Sequence, residues 1–216
     1  MTKLNVFVLV GLLVCYVNAK AQWTTGVLVG YDYNVMSYDV QWAKVLHYTG
    51  HVGSIVEVPV AYHLNKWLNI SSGLSVMEKG DVLNYKTEIN NRKDVYLTVP
   101  AMVEFVLNNS KVKKYVDIGG YFSYWMSSYS NGIALMPSSA ETFVERKIFV
   151  SGVDNRIEVG LVAGIGVGYE WNKWMWIATA RYYHALSNQY DQPEQINTPA
   201  YNRTITFQVG VVYSIK

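Results

Sequence analysis

The chain has 216 residues, half of them apolar and only 16% charged, with 18 Tyr, 7 Trp and a single Cys. Soluble domains carry about 25% charged residues, so this composition describes a protein that is apolar outside as well as inside. One Cys excludes a disulfide framework and a cysteine-rich metal site, and a formal charge of +2 leaves no basic footprint for nucleic acid.

Met1 to Ala21 has the make-up of a cleaved signal peptide: Lys3, an apolar run from Val6 to Val17, then Ala19-Lys20-Ala21 before Gln22. The run is too short for the roughly 20 residues of a spanning helix. Val14 precedes Cys15 where a lipobox needs a small residue. Cleavage would remove Lys3, Lys20 and the only Cys, leaving sixteen basic and sixteen acidic residues and no thiol. That suits export to an oxidising compartment. Residues 22–216 then form one domain, with no linker and no low-complexity segment.

Eight stretches of period-two alternation follow, the pattern of strands with two unlike faces. They are Trp23–Tyr33, His51–Tyr62, Leu68–Lys79, Lys93–Val106, Lys114–Ser128, Arg156–Glu170, Trp174–Leu186 and Thr204–Lys216. Each is long enough to cross a bilayer as a tilted strand of about 9–11 residues. The connections are about 17, 5, 13, 7, 27, 3 and 17 residues long. Long and short alternate throughout. A transmembrane barrel does this, with tight periplasmic turns, long outer loops and both termini periplasmic.

One strand face is uniformly apolar, for example Val52, Val56, Val58 and Val60, or Val95, Leu97, Val99, Ala101, Val103 and Phe105. No charge sits mid-strand on that face, where a midplane Arg or Lys costs about 2–4 kcal/mol in a bilayer. The other face carries Gly53, Glu57, Gly73, Ser75, Tyr96, Thr98, Glu104, Asp117, Gly119, Arg156, Glu158, Gly160, Gly164, Gly166, Arg181 and Tyr183. A soluble barrel with that face in water would need Lys and Glu in numbers, and glycine weakens a strand without solubilising it. The fold expected is therefore all-β: an eight-stranded antiparallel up-and-down transmembrane β-barrel, just wide enough to be filled by its own side chains. Trp23, Trp67, Trp171 and Trp174 fall at the short-turn end and are expected as a periplasmic aromatic belt. Tyr31, Tyr33, Tyr124, Trp125, Tyr182 and Tyr183 gather near the other end. Pro59 and Pro100 lack the ladder donor, so each predicts a bulge or a missing bond.

The chain resembles the small outer-membrane β-barrels of Bacteroidetes, the PorT-like or outer-membrane β-barrel domain family. The resemblance runs from Gln22 to Lys216. It rests on Gly26 and Gly30, on Ile70-Ser-Ser-Gly73-Leu with Glu78-Lys-Gly80, and on Tyr96-Leu-Thr-Val-Pro100. Gly164-Ile-Gly166-Val-Gly168-Tyr169 and Val209-Gly-Val-Val-Tyr213 complete it. The Gly-Leu-x-x-x-x-Lys-Gly and Tyr-x-x-Val-Pro elements are the most specific parts. The resemblance implies an eight-stranded barrel and an outer-membrane address. The family's name-giving member assists protein secretion. Lys216 stands where many such chains end in an aromatic residue.

Glu57, Glu104, Asp117, Glu158, Arg156 and Arg181 are expected to form an interior polar network, the acids paired with the two arginines because buried charges need partners. The same network could serve a narrow pore, though wide channels belong to barrels of about 16 strands. A lipid A-modifying enzyme is the alternative function. It needs a nucleophile and base within hydrogen-bond reach; His184 and Ser187 stand near the outer rim, with Asp191 and Glu194 following. Their spacing of three puts the first two on opposite strand faces. His47, His51 and His63 lack metal-site spacing, so no cofactor and no catalytic residue is expected. The outer loops Asn34–Gly50 and Tyr129–Asn155 carry Trp42, His47, Met136, Phe143 and Phe149, either folded over the mouth or offered to a partner. The role expected is structural or interactive: a monomeric barrel in outer-membrane lipid that serves secretion or envelope proteins as an accessory.

Overall fold

The computed structural model describes residues 22–38, 47–85, 88–107, 111–136, 139–190 and 199–215. The expected signal peptide, Trp42, Asp191, Glu194 and Lys216 lie outside them, and of His47 and Met136 only the backbone is described. The strands are β1 (Gln22–Tyr38), β2 (His47–His63), β3 (Leu68–Tyr85), β4 (Glu88–Val106), β5 (Val112–Met136), β6 (Ser139–Arg146), β7 (Ile157–Trp171), β8 (Trp174–Ala185) and β9 (Ala200–Ile215).

All pairings are antiparallel, and β1 pairs with both β2 and β9 while β4 pairs with both β3 and β5. With β5–β7, β7–β8 and β8–β9 also paired, eight strands close on themselves and β6 stays outside the ring. Closure leaves no barrel edge unpaired. Side chains alternate accordingly: Val56 and Val58 are about half exposed on either side of Glu57, which is 1% exposed.

The strands on one side are longer than their alternation suggests. Residues 80–91 continue the β3–β4 ladder out to Tyr85↔Glu88, where the sequence pattern indicates a loop. The segment expected as a single outer loop contains β6, which pairs with Tyr129–Met136 of β5. The reason is environmental: beyond the bilayer a strand needs no lipid-facing apolar row, so its pairing survives while its signature disappears. β5 turns from β7 to β6 past a bulge, where Tyr96↔Trp125 gives way to Val95↔Ser127 and Met126 is left over.

The prolines sit in a row with glycines. Pro59 opposes Gly73 across β2–β3. The β1–β2 ladder lapses between Thr25↔Val60 and Leu28↔Glu57, which leaves Gly26 facing Pro59. The β3–β4 ladder lapses between Ser72↔Ala101 and Ser75↔Thr98, which leaves Gly73 facing Pro100. Neither gap shifts the register. Each proline therefore costs ladder bonds and no bulge, and Ser72 Oγ donates to the Pro100 carbonyl at 2.7 Å.

Candidate functional site: a filled interior under a capped mouth

The interior is stacked in storeys. Nearest the short turns, Thr24 Oγ1 meets His63 Nε2 at 3.3 Å, and His63 Nδ1 meets Asn69 Oδ1 at 2.8 Å. Asn69 then donates to Glu104 Oε1 at 2.5 Å. These groups line an open mouth cavity of about 330 Å³, whose rim holds the Lys113–Glu170 pair at 2.8 Å.

Above it lies the strongest charge cluster. Arg181 donates from Nη1 to both Glu57 oxygens at 3.0 Å and from Nε to Asp117 Oδ2 at 3.1 Å. Gln208 adds a bond to Glu57 Oε2 at 3.0 Å. The three charged groups are essentially unexposed, a geometry that answers the cost of burying them. Gly164 makes room: a Cβ there would come within 2.5 Å of Arg181 Cγ and of Asp117 Oδ1.

A mostly apolar layer follows, made by Ile55, Met77, Met102, Tyr121, Val162 and Tyr183. Tyr121 and Tyr183 meet edge to face at 5.2 Å. Beyond it, Lys79 pairs with Glu158, which also accepts from Tyr121 OH at 2.8 Å and from Asn202 Nδ2 at 2.6 Å. The Lys79 ammonium lies 4.7 Å from the Tyr96 ring centre. Outermost, Arg92 bridges Asp81 at 3.0 Å and Asp94 at 3.3 Å, and Gln189 donates to Asp94 and to Tyr96 OH.

The six expected network residues thus divide. Glu57, Asp117 and Arg181 form one cluster, Glu104 belongs to the mouth storey, and Glu158 answers Lys79 above the apolar layer. Arg156 is a correction, because it does not enter the interior. Its guanidinium donates to the carbonyls of Trp125 at 2.9 Å and Met126 at 3.3 Å and lies over the rings of Tyr124 and Phe149. Trp125 and Tyr183 correct the outer aromatic row: both are fully buried inside. Consecutive strand residues face opposite ways, so each points inward while Tyr124 and Tyr182 remain on the wall. Trp23, Trp67, Trp171 and Trp174 are all about half exposed or more at the short-turn end.

Lys79, Asp81, Arg92 and Asp94 are site residues the sequence reading left out. The signal was present for Lys79, which lies on the inner face two residues beyond Met77 within the Gly-Leu-x-x-x-x-Lys-Gly element. The two most specific elements in fact touch, Gly73 facing Pro100 and Lys79 covering Tyr96.

The segment after β6 folds over the outer mouth. Phe149 meets Trp125 edge-on at 4.8 Å, and Lys147 sits 4.9 Å from the Trp125 ring and pairs with Asp154 at 2.5 Å. Asp154 Oδ2 also accepts the Val150 N–H at 2.8 Å. Phe143 is half-buried, whereas Val144 and Ile148 point away, 79% and 85% exposed. At the rim, Ser187 Oγ accepts from Val159 N at 3.0 Å, and His184 Nδ1 faces Tyr182 OH at 3.4 Å. His51 lies buried on β2, far along the strand from His63.

An apolar outer wall around a charge-paired interior, with every barrel edge closed, defines an integral β-barrel membrane protein. The chain belongs to the outer membrane protein beta-barrel domain family, whose model matches residues 18–191, and the outer membrane is accordingly its location. Among solved structures, the outer membrane protein OprG from Pseudomonas aeruginosa is similar at a TM-score of 0.53 and 9% identity, over 93% of this chain and 98% of that one. Neisserial surface protein A is similar at a TM-score of 0.51 and 14% identity, over 90% of this chain and 99% of that one. Both likenesses concern the fold. No curated protein matches the sequence.

Proposed function

We propose that this barrel is a scaffold, an accessory of protein secretion or envelope assembly in the PorT-like manner, and that its outer arm is the part that works. The arm is β6 with the outer end of β5 and the strap that follows. One observation carries the reading: the arm is anchored at one point and apolar at another. Phe149 and Lys147 fasten the strap to Trp125 inside the mouth, while Val144 and Ile148 face water beyond the membrane. Two nearly bare aliphatic side chains held on a rigid support suit a protein partner. The filled interior supports the same reading against a pore. Against lipid A chemistry, the Ser187 hydroxyl is held by the Ile157 and Val159 backbone rather than offered to His184.

The test replaces residues 131–145 by a two-residue turn and adds Ile148→Ser, which removes both exposed aliphatic side chains. The shortened protein is expected to keep heat-modifiable migration and its outer-membrane fraction while failing to restore secretion or detergent resistance to a deletion strain. Full restoration by the armless barrel would end the proposal.

A further inference from the structure

We infer that the outer wall of β5, β7, β8 and β9 near the short turns holds one glycerophospholipid of the periplasmic leaflet, its phosphate on Lys114 and its chains in two adjoining apolar grooves.

Lys114 is the third residue of β5 and faces out of the barrel between Val112 and Val116. Its neighbour Lys113 faces in and pairs with Glu170, but no ion pair among the described residues engages Lys114. A cation facing lipid at a membrane boundary is stabilised by an anion from the lipid itself, since lipid phosphates lie at that depth.

The wall beside it is hollowed. β8 presents Ala178 and Ala180 between the larger Trp176 and Tyr182, so two small side chains floor a depression walled by β7 and β9. One groove, of about 450 Å³, runs from Lys114 past Val116 and Ile165 over Ala178 and Ala180 to Phe207. A second, of about 550 Å³, is lined by Tyr169, Trp176, Val209 and Val29. The grooves share Val167 and Ala178. Two apolar grooves meeting beside Lys114, the cation that lines them among the described residues, match an amphiphile with one anionic head and two chains. The short turns and the Trp23, Trp67, Trp171 and Trp174 row mark this as the periplasmic end, where the leaflet is glycerophospholipid.

The experiment purifies the full barrel in mild detergent, adds phosphatidylglycerol and counts bound lipid by native mass spectrometry. The unmodified protein is expected to retain one lipid. Lys114→Gln is expected to retain it about fivefold less well, and Ala178→Phe, which fills the junction of the grooves, to lose it. Arg203→Gln, at the opposite end of the wall, is expected to change nothing. Ala178 and Lys114 both face away from the interior, and heat-modifiable migration reports that each variant is folded. Equal retention by all four proteins would overturn the inference. So would a lipid-free dimer that Ala178→Phe dissociates, since the wall would then meet a second copy.

Discussion

Arg181 shows what single residues do in this protein. Its side chain satisfies two carboxylates from strands far apart in sequence, Glu57 on β2 and Asp117 on β5, and Gly164 exists to let it pass. Removing only the cation strands two buried anions, which in buried pairs costs about 3–5 kcal/mol. Arg181→Met is therefore expected to lower urea-unfolding stability in vesicles by that amount. Neutralising the partners as well, with Glu57→Gln and Asp117→Asn, is expected to recover most of the loss. No recovery in the triple variant would mean that packing rather than charge holds this storey.

At the scale of elements, turns and strand extensions set the shape. The β7–β8 hairpin closes through Asn172 and Lys173, and Asn172 takes a φ of 58°, a left-handed conformation that Asn tolerates and β-branched residues resist. Asn172→Gly is expected to leave stability unchanged, while Asn172→Val loses about 1–2 kcal/mol; equal unfolding midpoints for the two would contradict the turn's role. The row Gly26, Pro59, Gly73 and Pro100 works in the opposite sense. Each proline removes a donor, and the facing glycines leave the gap uncrowded, so the β1–β2 and β3–β4 ladders keep their register past the prolines.

Across the whole molecule, two charged storeys are separated by the layer of Ile55, Met77, Met102, Tyr121, Val162 and Tyr183. Water and ions cross such a layer only by dewetting it in reverse. The unmodified barrel is expected to be silent in planar bilayers. Met77→Ser with Met102→Ser, which wets the layer from β3 and β4, is expected to give small steady openings. Steady openings of the unmodified protein would show that the interior is not sealed.

Alternation alone determined the strand faces, the eight-strand count and the end at which the extra length lies, because lipid on one side and a packed interior on the other impose a local rule on every second residue. The same rule put Glu57, Asp117, Glu158 and Arg181 inside. It faded where the environment became symmetric, so the outer half of the β3–β4 hairpin and all of β6 looked like loops, and Arg156, one residue before β7, was assigned to a side its guanidinium does not take. Which charge meets which was decided only by closure. Lys79 and Glu158 are 79 positions apart and Arg181 and Glu57 are 124 apart, and the stagger of the closed ladder, which no local pattern encodes, brings them to the same storey.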